Sequence, residues 1–162
     1  FAGADVTAIW HATPHIAVTP KISLLHATDR RGHSPLIYVP PNRFSLNVRR
    51  EWPTLQHFHN VYVESRGDYV MRQYYAPRVI KITAINSANV DGPVFDFLPA
   101  PPAYFLWHVA AGVSVKNKKA QYDFRLSADN VFNNAYREYT NRLRYYADDI
   151  GRNIMFSIKY IF

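Results

Sequence analysis

The chain has 162 residues, no cysteine and a formal net charge of +7, with 15% aromatic and 19% charged residues. That is the size of one ordinary domain. It excludes a disulfide framework and a thiolate metal site, and no run approaches the roughly 18 apolar residues of a membrane-spanning helix.

Residue alternation with period two predicts an all-β chain of seven strands. The first, Ala2–Ala12, sets Ala4, Val6, Ala8 and Trp10 against Asp5, Thr7 and His11. In the second, Ile16, Val18, Ile22 and Leu24 oppose Thr19, Lys21 and Ser23. Arg43–Trp52 places Phe44, Leu46, Val48 and Trp52 on one face, and Asn60–Asp68 does the same with Val61 and Val63. In Phe105–Lys116 the apolar set is Phe105, Trp107, Val109, Ala111, Val113 and Val115. Tyr122, Phe124 and Leu126 follow in Ala120–Ala128. The closing segment, GRNIMFSIKYIF, aligns Ile154, Phe156, Ile158, Tyr160 and Phe162.

Short turns are predicted at Thr13-Pro14, at PTLQHF (Pro53–Phe58) and at KNKK (Lys116–Lys119). Long polar loops rich in aromatics fall at about 27–42, 73–103 and 133–150. Loops of this length are uncommon in compact domains and usually carry function.

Alternation also fits a soluble sandwich, and three features favour a transmembrane antiparallel up-and-down barrel. The polar faces are charged in mid-strand, at Glu64, Arg66, Asp68, Asp123 and Arg125. The apolar faces end in aromatics such as Trp10, Trp52, Phe105, Trp107, Tyr160 and Phe162, as in the girdles of outer-membrane barrels. Strands of about ten residues match a tilted crossing better than the soluble mean of about six. A barrel leaves no open edge, whereas an exposed run of Phe156, Ile158, Tyr160 and Phe162 at a sandwich edge would invite aggregation.

With short turns at the periplasmic end, all three long loops are extracellular. The first strand then descends from outside, so an odd count of seven implies that further strands precede it and that this is a C-terminal piece.

Four motifs in order resemble the end of a TonB-dependent outer-membrane receptor. FAGADVTAIW is similar to the family's strand opening. SPLIYVPPNRFSLNV resembles its loop-to-strand segment through Pro35, Leu36, Val39, Pro40, Pro41 and Arg43. RLSADNVFNNAYREY resembles its penultimate strand and turn through Asn130, Val131, Phe132, Asn133 and Tyr136. The closing strand matches through Gly151, Arg152 and Phe162. The wording NRLRYYADDIGRN is closest to receptors of the Bacteroidota.

The resemblance implies the last seven strands of a 22-stranded barrel with a plug domain, in the outer membrane of a Gram-negative bacterium. It implies energised uptake of a scarce nutrient, most readily a siderophore-iron, haem or other metal complex. The implied partners are the TonB complex, reached through a preceding part of the protein, the barrel-assembly machinery, lipopolysaccharide and a small nutrient ligand. The assembly signal would be Phe156, Ile158, Tyr160 and Phe162. A passive porin and, less readily, a soluble sandwich binding module are the alternatives.

Transport makes and breaks no bond, so neither a catalytic constellation nor a cofactor is expected. The basic clusters DRRGH, NVRREW, VKNKK and YREYTNRLRYY are not gathered on one helix or face, which argues against a nucleic-acid partner. In the last loop Arg137, Arg142 and Arg144 are interleaved with Tyr136, Tyr139, Tyr145 and Tyr146; Tyr74, Tyr75 and Arg78 open the middle loop in the same style. Guanidinium groups pair with anionic oxygens and tyrosines stack on flat ligands, which suits an anionic ligand or lipopolysaccharide phosphate equally. Glu64, Arg66, Asp68, Asp123 and Arg125 are expected to form cross-strand ladders or plug contacts. His57 and His59 share one side of a strand without a third ligand. His26, His33 and His108 are weak metal candidates, and solvated loop histidines are the commoner case.

Overall fold

The computed structural model describes residues 1–29, 34–55, 58–79, 95–117 and 120–162. The strands are β1 (Ala2–Thr7), β2 (Trp10–Thr13), β3 (Ile16–His26), β4 (Thr28–Asp29), β5 (Ser34–Pro35) and β6 (Arg43–Leu55). They continue with β7 (Phe58–Val70), β8 (Arg78–Val79), β9 (Phe95–Asp96), β10 (Tyr104–Asn117), β11 (Ala120–Asp129) and β12 (Asn153–Ile161). One antiparallel meander runs β1-β3-β6-β7-β10-β11-β12, with β2 also paired to β3. Two-residue ladders, β4 with β5 and β8 with β9, lie in the loops. The sheet is open, with β1 and β12 as its edges.

Register fixes the faces, because directly opposed residues in an antiparallel pair point the same way. Phe44 pairs with Tyr69 and Tyr69 with Phe105, forming an aromatic row across β6, β7 and β10 at the long-loop end. At the other end Leu55, Phe58, Val115, Tyr122 and Tyr160 form a second row through successive pairings. Between the rows run Leu46, Val48, Val63, Trp107, Leu126, Phe156 and Ile158. All of these are exposed, Phe156 at 61% and Leu126 at 53%. Among the described residues no second layer covers this face. The sandwich alternative needs such a layer.

The expected first strand, Ala2–Ala12, is interrupted at positions 8 and 9. Pairing keeps one register on both sides of the gap, Thr7 with Lys21 and Trp10 with Val18. Pro20 faces the gap and has no N–H to donate; Ala8 N still donates to Pro20 O at 3.2 Å. The expected turn Pro53–Phe58 is shorter than the sequence suggests, because the β6–β7 ladder continues to Leu55 and Phe58. The Pro53 position skips one pair, opposite Asn60, whose φ is 49°. Position 57 and positions 118 and 119 of the KNKK turn lie outside the described residues.

Burial concentrates at the long-loop end. Ala27, Val39, Val70, Tyr139, Asp96 and Arg144 are each 5% exposed or less. The loop layer thus has a small core of its own, whereas the sheet's buried apolar residues, among those described, are Val70, Leu106 and Ala110.

Candidate functional site

The loop layer begins with the turn after β11. Asn130, 3% exposed with φ 48°, closes it by donating Nδ2 to Asn134 O and accepting from Asn134 N, both at 2.9 Å. Asparagine suits this position because its short amide serves both roles and tolerates the left-handed region. Asn133, with φ 55°, accepts Arg152 N at 2.8 Å. A Cβ on Gly151 would lie 2.6 Å from Asn133 Oδ1, so a larger residue there would force the Asn133 amide that accepts Arg152 N to shift.

Beyond this turn the last loop folds back on itself. Asp149 accepts from Glu138 N at 2.6 Å and from Asn141 Nδ2 at 2.7 Å. Asn141 caps a single 3-10 turn, Arg142–Tyr145, by accepting Leu143 N at 2.9 Å. Glu138 receives Arg43, at the foot of β6, and the hydroxyl of Tyr104 at 2.6 Å. Tyr104 and Tyr136 rings lie 4.7 Å apart.

Arg144 is the centre of the layer. Its guanidinium, 2% exposed, pairs with the equally buried Asp96 and donates to Pro99 O at 3.3 Å and to Tyr145 Oη at 3.2 Å. The rings of Tyr145 and Tyr139 lie over it at 4.5 and 4.9 Å. Tyr145 donates to Asp96 at 2.6 Å and shares a hydrogen bond with Tyr38 at 3.2 Å. Residues of the middle and last long loops therefore meet on one cation, and Tyr38 of the first long loop joins them through Tyr145. Burial pushes the Tyr145 phenol well above its usual range, and hydrogen bonds to Asp96 and Tyr38 add to it. Tyr139 and Tyr136 are raised too, mainly by burial and then by the charges of Asp96 and Asp149 respectively.

The expected ligand residues thus divide. Arg144 and Tyr139 are buried, Tyr145 is half-buried, and all three serve the loop core. Arg137 is held by Asp148 at 2.6 Å and by Arg144 O at 2.8 Å. Tyr74 at 79% and Tyr146 at 86% face solvent, as do Tyr75, Arg78 and Arg142. Tyr75 stacks on His26, with centroids 4.0 Å apart, and Arg142 lies 5.5 Å over Tyr38. His33 lies outside the described residues.

Sequence reasoning missed Asp96, Tyr38, Glu138, Tyr104 and Gln73. Gln73 is buried and ties the Val39-Pro40 carbonyls at 3.0 and 3.3 Å. A lone acid in the apolar run FDFLP was the one signal for Asp96, since such an acid needs a buried cation.

The polar face carries the expected charges together. Arg49 spans to its cross-strand partner Glu64 at 3.2 Å, and Arg66 pairs with Asp68 at 3.1 Å. His108 sits between Asp129 at 2.8 Å and Asp68 at 3.2 Å. The Asp68 contact lies within ion-pair distance but off hydrogen-bond geometry, since His108 Nε2 has no hydrogen-bond partner. A 360 Å3 hollow on this face is lined by Glu64, Arg66, His108, Arg125 and Asp129. Asp123 accepts from Gln121 at 2.7 Å and, with Arg125, lines a second hollow of 310 Å3. Among the described residues no three His, Asp or Glu side chains converge to hold a metal.

Two more hollows meet at Tyr104 and Tyr136, which line both. One, of 370 Å3, lies in the loop layer and also takes in Pro99, Arg137 and Arg144. The other, of 330 Å3, is lined on the polar face by Lys21, Arg43 and Asp68. No family model matches the chain, and neither a curated protein nor a solved structure gives a match.

Proposed function

We propose that the chain is the closing stretch of the wall of an outer-membrane barrel, in a TonB-dependent receptor that imports a scarce nutrient. One observation carries this reading: a single-layer sheet of seven strand positions with an uncovered apolar face and a charged opposite face. Moving one large apolar side chain out of water is worth about 1.5–3 kcal/mol. Across this face the total runs to tens of kcal/mol, beyond the roughly 5–15 kcal/mol by which a protein is stable. Such a face must be covered, and acyl chains cover it without a second protein layer.

The spacing of the aromatic rows supports the same reading. Phe105 and Val115 on β10 mark the two rows. Their separation along the strand is about 33 Å at a rise of about 3.3 Å per residue. A tilt of about 40° projects this to about 25 Å, the height of the apolar band of an outer-membrane barrel. In this reading Phe156, Ile158, Tyr160 and Phe162 form the strand that the assembly machinery recognises, and the loop layer meets the nutrient. Coupling to TonB and the plug rest on the motif resemblance.

The test is tryptophan fluorescence of the full-length protein in vesicles, with other tryptophans replaced so that Trp107 reports alone. Brominated acyl chains should quench Trp107 strongly and aqueous acrylamide weakly. The reverse order would sink the proposal.

A further inference from the structure

We infer that the apolar face of the sheet carries a seat for one anionic glycerophospholipid, with its phosphate on Arg50 and an acyl chain in the trough that runs from Val48 to Phe44. The two neighbouring arginines of β6 have opposite surroundings. Arg49 points to the polar face, where Glu51 and Glu64 match it. Arg50 pairs in register with Ile16 and Val63, and so stands in the apolar row of Phe44, Leu46 and Val48. It is exposed and has no acidic partner among the described residues.

The place of Arg50 along its strand suits a headgroup. Its partner Ile16 is the first residue of β3, and the next residue, Glu51, donates its N–H to His15 O in the β2–β3 turn at 2.8 Å. The guanidinium then leans further toward the short-turn end, onto the ring of Trp52 at 4.6 Å. A long cationic side chain turned toward the membrane surface along an indole ring lies at the depth of lipid phosphates. From Arg50 to Phe44, in the aromatic row at the long-loop end, the strand runs about 20 Å at a rise of about 3.3 Å per residue. A tilt of about 40° projects this to about 15 Å, half of a hydrocarbon core of about 30 Å. The span is one leaflet.

A trough occupies that span. Its 580 Å3 lie between Phe44, Leu46 and Val48 on β6 and Phe105 and Trp107 on β10. It exists because the β7 residues between those rows are small, Ser65 and Gly67. The indole N–H in its wall is already engaged, since Trp107 Nε1 donates to Ser65 Oγ at 2.7 Å. An apolar chain therefore fits and a hydrated one gains little. Val48, at the end of the trough, precedes Arg50 on the same face, so an apolar slot leads to an unmatched cation. An acyl chain esterified to a glycerol phosphate has both parts in that order. Guanidinium groups pair bidentately with phosphate oxygens. The Trp52 ring face that could hold a choline cation is taken by Arg50, which favours a lipid of net negative charge.

The inference rests on the barrel-wall reading, in which this face meets lipid. It is tested on full-length protein in vesicles, in single-tryptophan forms reporting from Trp52 and from Trp107, with the remaining tryptophans replaced by phenylalanine. The probes are phosphatidylglycerol and phosphatidylcholine, each brominated on the acyl chain, at matched mole fractions in unbrominated phosphatidylcholine. Brominated phosphatidylglycerol should be preferred at both reporters by about fivefold in relative association constant, the effect of one basic side chain near anionic lipid. Arg50→Gln should abolish the preference at both, and Arg50→Lys should retain part of it. No preference in the wild type, or an undiminished one in Arg50→Gln, overturns the inference. Preference at Trp52 without preference at Trp107 overturns the seating of the chain in the trough. Greater relief of quenching by unbrominated lipopolysaccharide than by unbrominated phosphatidylglycerol assigns the site to another lipid and overturns it too. Absence of quenching by either headgroup at Trp107 sinks the barrel-wall reading, whereas equal, strong quenching by both leaves that reading standing and removes this inference alone.

Discussion

The guanidinium of Arg144 and the carboxylate of Asp96 form a pair in which each side chain is 2% exposed, linking positions 48 apart in the chain. Around it Tyr38, Tyr139, Tyr145 and Pro99 complete a knot of three loops. Removing one partner of such a pair leaves the other charged, buried and unmatched, at a cost of about 3–5 kcal/mol. Asp96→Ala and Arg144→Ala should each raise hydrogen exchange together in 34–42, 95–103 and 136–150, with exchange in β10 and β11 unchanged. The double variant should cost less than the two single costs added. Additive costs, or exchange rising in only one loop, would refute the shared knot.

The same knot should open in alkali. The Tyr145 phenol has its folded pKa raised above the ordinary value of about 10. Below that value the phenol is neutral in both states and its contribution to stability is intact. As pH rises past about 10 the unfolded form ionises first, so stability falls until the folded pKa is reached. Phenolate absorbance should therefore include a late-ionising tyrosine that vanishes in Tyr145→Phe. A variant titration curve identical to wild type, scaled for one fewer tyrosine of ordinary pKa, would count against it.

Gly151→Ala forces a methyl group against Asn133 Oδ1. Overpacking of this kind costs about 1–3 kcal/mol. Asn133→Gly removes the obstacle and suits the positive φ at that position. Thermal unfolding of the double variant Asn133→Gly/Gly151→Ala should be less impaired than the sum of the two single changes. Strict additivity would mean that the contact does not limit the turn.

Opposite faces of β12 should respond differently to charge. Phe156→Arg puts a cation on the apolar face, at a cost of about 2–4 kcal/mol near a bilayer midplane. Ser157→Arg places it on the face shared with Arg125 and Asp123 and should be tolerated. The readout is the amount of heat-modifiable protein in the outer membrane. Equal loss from both would be incompatible with a lipid-facing apolar side.

Deletion of Phe162 should lower the same readout, if the aromatic C-terminal strand is what the assembly machinery recognises. Unchanged assembly would assign targeting to another segment.

The antiparallel meander and its two faces were legible in the residues themselves. Alternation is local: each side chain's face follows from its neighbour's, and a single slip would invert a whole strand. The six later strands accordingly lie close to where alternation places them, and the break in the first comes from Pro20 on the strand beside it. The loop layer followed no such rule. Arg142 and Arg144 stand two residues apart in the same tyrosine-rich run, yet one faces solvent and the other is buried against Asp96. That difference depends on three distant segments converging, and on a carboxylate arriving from 48 positions away to offset the desolvation of a buried cation. Period two determines a sheet's sides from sequence alone, whereas burial of a loop charge is decided only when its partner is brought to it in space.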